Sequence, residues 1–224
     1  MKDHPDRSHL TGMFYYGQPG KPFAIVVPGG GFISNVTDCE GYPIAMELHK
    51  MGYSVFVLSY PIGKQLGETE PLKQGQAAAK ELTQAIRYLT NHQKELAICM
   101  DDYAIFGFSA GGLMTTAYSF ASYADCCHNH HLPSRRRFFL CTDWIGISKH
   151  SRRIKVWPCF PSQGVRMSSA LQRRSTASGV GKNTGRENVS VKIIDGLGHG
   201  FGIGSETKVK NWLQEAVVFW EAHR

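Results

Sequence analysis

A chain of 224 residues with 42% apolar and 19% charged side chains is long enough for one sizeable core. Its six cysteines, with Cys126 and Cys127 adjacent, follow neither a disulfide-scaffold nor a zinc-ligand spacing, so a reducing, cytoplasmic setting is expected. Met1 to Ser8 is polar and lacks the apolar centre of a signal sequence, and no apolar run reaches membrane-spanning length, so the chain reads as soluble with no membrane partner.

The formal charge of +7 would ordinarily point to nucleic acid or an acidic surface. Its distribution argues otherwise. Ser134 to Glu187 holds twelve Lys or Arg against two acids, Asp143 and Glu187, which leaves the remainder with 13 basic and 16 acidic residues. The basicity belongs to one segment with no nucleic-acid-binding motif, so no nucleic-acid partner is expected.

In chain order, a polar start with turn residues Gly17, Pro19, Gly20 and Pro22 leads into Phe23 to Val27, a continuous apolar strand of the kind buried on both faces of a parallel sheet. It runs into Pro28-Gly-Gly-Gly-Phe32, where consecutive glycines let bare N–H groups face a cleft. A helix is predicted from about Asp38 to Met51, with Ile44, Ala45, Leu48 and Met51 at helical spacing and Gly52 as its stop. Ser54 to Tyr60 reads as the next buried strand and Pro61 to Gly67 as a loop. Pro71 then opens a helix whose apolar stripe is Ala78, Leu82, Ala85, Ile86 and Leu89.

Tyr103 to Phe106 follows as a strand ending in Gly107-Phe-Ser-Ala-Gly111, which fits G-x-S-x-G, and Leu113 to Phe120 reads as a buried helix. Strand, sharp turn and helix around a central serine form a nucleophile elbow, in which small flanking residues allow the turn that lifts the Ser109 oxygen clear of the sheet. Read blandly, it is a glycine-rich turn with a capping serine. At the far end, Val189 to Ile194 is a last strand, and it enters the loop Asp195-Gly-Leu-Gly-His-Gly-Phe-Gly202. Ser205 is expected to cap a closing helix with Val209, Trp212, Leu213, Ala216, Val217 and Trp220 on one face. Alternating strands and helices predict an α/β fold, a mostly parallel sheet with helices on both faces.

Pro28-Gly-Gly-Gly-Phe32, Gly107-Phe-Ser-Ala-Gly111 and Gly198-His-Gly-Phe-Gly202 together make the chain resemble an α/β-hydrolase. More narrowly, it resembles the small esterase/lipase branch that includes acetyl-xylan-esterase-like and lipase-like carbohydrate esterases. The resemblance covers Lys21 to Asp125 and Asn188 to Arg224. Pro28 stands where many lipases carry the histidine of H-G-G-G, a form that resembles the acetyl-esterase branch and points away from large hydrophobic esters. The resemblance implies a serine hydrolase of small-molecule carboxylic esters with no metal and no organic cofactor. Ser109 would be the nucleophile, His199 the base, and the N–H groups of Ala110 and of Gly30 or Gly31 the oxyanion hole. The three histidines His128, His130 and His131 read as a solvated loop rather than a metal site.

A triad also needs a carboxylate, which in this fold lies between the serine and the histidine, commonly as strand, Gly-x-x-Asp. No such unit occurs between Ser134 and Glu187. Asp143 is the candidate there, although it follows Phe138 to Cys141, one strand too early. Asp195 precedes His199 by four residues and has little room to reach the ring from behind. The segment itself, with Ser134-Arg-Arg-Arg137, Ser151-Arg-Arg153 and Gln172-Arg-Arg174, shows no helical or strand period and reads as irregular. A disordered basic insertion is one reading.

The other is translation out of frame from near Pro133 to near Asn188. Because Trp has a single codon, codons begun on the third base of Asp143-Trp144-Ile145 must read Leu-Asp. In the same frame Trp157 to Ser168 can read Ala-Leu-Phe-Ser-Phe-Ala-Gly-Cys-Gln-Asp-Glu, an apolar strand followed by Gly-x-x-Asp. A shifted chain would lack the true acid and proper strands in its carboxyl half, with weak activity and low stability. Two alternatives to the esterase share the motifs. A prolyl-oligopeptidase-like peptidase, separated by comparing amide with ester substrates, would cleave amides as well, although this chain has no propeller domain. A non-catalytic or degraded α/β-hydrolase would leave Ser109 unlabelled by a fluorophosphonate. For the frame itself, sequencing the gene between the codons for Asp125 and Val191 is expected to reveal a compensating pair of frame changes, and an intact frame across independent clones would exclude it.

Overall fold

The computed structural model describes residues 11–66, 69–118, 136–142, 153–159, 190–193 and 197–222. Seven strands form one sheet: β1 Gly12–Tyr16, β2 Phe23–Val27, β3 Ser54–Ser59, β4 Asp102–Phe108, β5 Arg136–Thr142, β6 Arg153–Cys159 and β7 Ser190–Ile193. Their spatial order is β1-β3-β2-β4-β5-β6-β7. The centre, β3-β2-β4-β5, is parallel, whereas β1 pairs with β3, β5 with β6 and β6 with β7 in antiparallel fashion. The helices are α1 Thr37–Glu40, α2 Tyr42–Lys50, α3 Pro71–Asn91, α4 over residues 110–118 and α5 Trp212–Ala222.

The core lies in two layers, one on each side of the sheet. Because side chains alternate along a strand, β2 sends Ala24 and Val26 to one face and Phe23, Ile25 and Val27 to the other, all fully buried. On the first face they meet Ile44 and Leu48 of α2 and Leu213, Val217 and Trp220 of α5. On the second they meet Ala78, Leu82, Ile86 and Leu89 of α3, together with Met114 of α4. An apolar run without alternation is what two covered faces require. Among the described residues, no helix is long and apolar enough to cross a membrane.

Several boundaries differ from the sequence reading. The helix expected over Asp38 to Met51 is two helices, broken at Gly41 (φ −103°, ψ −82°). Pro43, in the first turn of α2, has no N–H to continue the ladder back to Cys39. The closing helix starts at Trp212, seven residues after the predicted cap Ser205. Thr207 is the reason: its hydroxyl donates to the Gly204 carbonyl (2.8 Å) and accepts from the Val209 N–H (3.1 Å), closing turns that compete with a helix. Val209 is still buried in the core, but from a turn.

β1 lies in a stretch read from sequence as a polar start. It is an edge strand, with Phe14 and Tyr15 both exposed by more than a third, so its pattern has no buried face to announce it. β5 and β6 lie in the segment read as irregular. In β6, Arg153 and Lys155 alternate with Ile154 and Val156 until Trp157 breaks the pattern, so only four residues carry a period of two. Asp143 and Asp195 lie outside the described residues, as does Phe120.

The sheet and α4 meet most tightly at Gly111, where a methyl group would lie 2.1 Å from the Val27 carbonyl oxygen and 2.6 Å from that of Pro28. Both obstacles are backbone, so relief means moving β2 away from α4. Gly111→Ala is expected to cost about 3 kcal/mol or more in urea denaturation. Gly12→Ala, where a methyl would meet nothing within 4 Å, is expected to stay within about 0.5 kcal/mol of the parent.

Candidate functional site

β4 ends at Phe108 and α4 begins at residue 110, so the chain turns within one residue, Ser109. That residue carries φ 47°, a left-handed conformation that costs a non-glycine residue of order 1–3 kcal/mol. The two glycines of the pentapeptide make the turn sterically feasible. A methyl on Gly107 would come within 2.4 Å of Thr115 Oγ1 and 2.6 Å of the Gly111 carbonyl, and Gly111 faces β2 as described. Thr115, fully buried, donates to the Gly111 carbonyl at 2.9 Å and so closes the first turn of the helix. Ala110, the first helical residue, has one of the N–H groups that an α-helix leaves without an intrahelical acceptor.

The glycine loop leaves β2 next to this turn. A methyl on Gly29 would lie 2.7 Å from Ser109 Cβ, which puts the loop in van der Waals contact with the serine. Gly30 (φ 123°) and Gly31 (φ 62°) form a tight bend in which the N–H groups of Ile33 and Ser34 both donate to the Gly30 carbonyl, at 3.0 and 3.1 Å. Among the described residues, the N–H groups of Gly30 and Gly31 donate no hydrogen bond.

Two buried groups hold the start of this loop. Tyr60 donates its hydroxyl to the Pro28 carbonyl at 2.9 Å, and the Gly29 N–H donates to Glu40 Oε2 at 2.8 Å. Glu40, at the end of α1, is only 3% exposed. Burial, and then the charge of Glu40, push the Tyr60 phenol well above its ordinary range, so it stays a donor at any physiological pH. Burial, followed by the charges of Glu40 and Asp38, likewise pushes up the Cys39 thiol.

His199 lies in the loop between β7 and α5, with its ring exposed and its Nε2 3.1 Å from Ser109 Oγ. Positive φ angles at Gly200, Gly202 and Gly204 (69°, 56° and 67°) coil this loop. Trp212 fastens it: the indole N–H is shared between the carbonyls of Gly202 (3.2 Å) and Ile203 (3.1 Å). The same indole packs edge-on against Phe201 and against Phe108, the residue preceding Ser109. One side chain therefore braces the histidine loop and the end of the serine strand. From below, α1 touches the loop, since a methyl on Gly202 would lie 2.7 Å from the Cys39 carbonyl and one on Gly200 3.6 Å from Glu40 Oε1.

The structure thus brings together Ser109 and His199, 90 residues apart in sequence, and sets the Gly29 to Gly31 loop against the serine. Such a pair can pass a proton from the hydroxyl to the imidazole as the oxygen attacks an electrophile. Asp143 and Asp195 lie outside the described residues. Sequence reasoning overlooked Glu40 and the bracing role of Trp212. Glu40 carries no signal in the sequence beyond its position shortly after the glycine loop, whereas Trp212 stands out only as an apolar residue of a helix.

A mixed sheet whose parallel centre is covered on both faces, a serine on a strained strand-to-helix turn and a histidine in the loop before the last helix define an α/β-hydrolase. The BD-FAE profile matches residues 16–149, more than half of the sequence, and the chain belongs to that family. Comparison with curated protein sequences returned no match. Among solved structures it is similar to a lipase/esterase from Lactobacillus plantarum, at 24% identity over 50% of this chain and 45% of that one, with a TM-score of 0.43. It is also similar to an acetyl ester-xyloside bifunctional hydrolase from Caldicellulosiruptor lactoaceticus, at 30% identity over 46% and 36% of the two chains, with a TM-score of 0.39. The chain spans less than half the length of these structures.

Because Trp212 joins the histidine loop to the end of β4, Trp212→Phe keeps an aromatic ring there and removes the N–H. The variant is expected to lose about 1–2 kcal/mol of stability, read as a lower midpoint in urea. A midpoint equal to the parent's would show that the indole hydrogen bonds do not hold the loop.

Proposed function

We propose that this chain is a serine hydrolase of small carboxylic esters, of acetyl-esterase or carboxylesterase type, acting through an acyl-serine intermediate. The observation that carries the reading is the 3.1 Å approach of His199 Nε2 to Ser109 Oγ on a backbone held at φ 47°. Ser109 attacks the ester carbonyl while His199 takes its proton; His199 then protonates the leaving alcohol and later activates the water that releases the acid. The N–H groups of Ala110 and of Gly30 or Gly31 receive the oxyanion, and one such donor typically lowers the barrier by about 3 kcal/mol. Supporting the glycine assignment, neither Gly30 nor Gly31 donates its N–H to any other described residue. The carboxylate role beside His199 stays open, with Asp143 as the sequence candidate one strand too early and Asp195 too close to the ring in sequence.

The substrate class follows from Pro28 at the head of the glycine loop and from a charge excess confined to Ser134 to Glu187. The first points away from large hydrophobic esters and the second away from nucleic acid, while the cysteine spacing favours a cytoplasmic setting. Ser109→Ala is expected to lower hydrolysis of p-nitrophenyl acetate by about 10³-fold or more and to abolish labelling by a fluorophosphonate. Retained turnover or labelling in that variant would overturn the assignment of Ser109.

A further inference from the structure

A carboxylate buried beside a serine and a histidine, yet belonging to neither the serine turn nor the histidine loop, calls for a reason. Removing a charge from water is costly, so a buried carboxylate persists where its oxygens are engaged. Glu40 Oε2 accepts the Gly29 N–H at 2.8 Å, and Oε1 faces the histidine loop, 3.6 Å from where a methyl on Gly200 would sit. Gly29 in turn touches Ser109, with 2.7 Å from a methyl there to Ser109 Cβ. Glu40 therefore stands at the junction of the glycine loop, the serine turn and the histidine loop. The next two N–H groups along the chain are those of Gly30 and Gly31, the donors assigned to the oxyanion.

We propose that Glu40 is a positioning residue, which fixes the glycine loop by accepting the Gly29 N–H and thereby aims the Gly30 and Gly31 N–H groups at the carbonyl attacked by Ser109. This deepens the serine-hydrolase reading and rests on it. The tether needs reach more than charge. Gln keeps an oxygen at the same distance from the backbone and gives up the charge, whereas Asp keeps the charge and withdraws it by one methylene.

The test compares Glu40→Gln with Glu40→Asp, each shown to be folded by circular dichroism, for p-nitrophenyl acetate turnover and for amide hydrogen exchange of the peptide containing Gly29 to Ser34. Glu40→Gln is expected to retain kcat within about threefold of the parent, with loop exchange unchanged. Glu40→Asp is expected to lose about tenfold or more in kcat with KM within twofold, and to exchange faster in the loop. The reverse order would overturn the tether in favour of a charge effect. Parental kcat in Glu40→Asp would also overturn the proposal, while loss of turnover in Ser109→Ala would leave the hydrolase reading standing. A parent that hydrolyses no ester would overturn that reading and the catalytic half of this inference together, and the exchange measurement would still decide whether Glu40 holds the loop.

Discussion

Everything at the site depends on how closely two stretches of backbone approach each other beneath Ser109. β2 and the start of α4 pack with the Val27 and Pro28 carbonyls pressed against Gly111, and Gly29 lies against the serine itself. Side chains at these positions would force the helix and the glycine loop apart. The absence of Cβ atoms is what lets the serine turn and the loop share one end of the sheet. The left-handed φ of Ser109 is the local consequence, because a strand entering a helix across a single residue has few other conformations open to it.

Around that contact, polar and aromatic side chains from distant segments fix the loops. Trp212 spans the histidine loop and Phe108, and Tyr60 and Glu40 engage the carbonyl of Pro28 and the N–H of Gly29. These groups come from the residue that follows β3 and from α1 and α5. At the opposite end of β4, the Trp220 indole N–H donates to Asp102 Oδ1 (3.1 Å), so α5 is fastened to both ends of the strand that carries the serine. The first strands of the core and the site are thus mechanically one unit.

Much of this arrangement was legible in the sequence because it depends on local rules. Phe23 to Val27 is apolar throughout and forms a strand covered on both faces; Ala78, Leu82, Ala85, Ile86 and Leu89 recur at helical spacing and are all buried. G-x-S-x-G announced a strand-to-helix turn because only glycines fit where they stand. What the sequence concealed depends on competition or on distance. Thr207 diverts the chain into turns where an apolar stripe argued for helix, and Pro43 splits a helix that periodicity joined. The brief alternation in β6 was hidden among the charges of its segment, and β1 by lying at an edge with neither face buried.

The sequence by itself determined the succession β2, β3, α3, β4 and α4, the apolar faces of these elements and the identities of Ser109 and His199 as candidates, since each is encoded in a run of neighbouring residues. Only the tertiary structure decided that these two side chains meet at 3.1 Å, that Trp212 braces the histidine loop and the end of β4, and that Glu40 is buried against Gly29. Those facts depend on contacts between residues from 9 to 104 positions apart, and no local pattern specifies the distance between side chains that only the packing of the whole sheet brings into register.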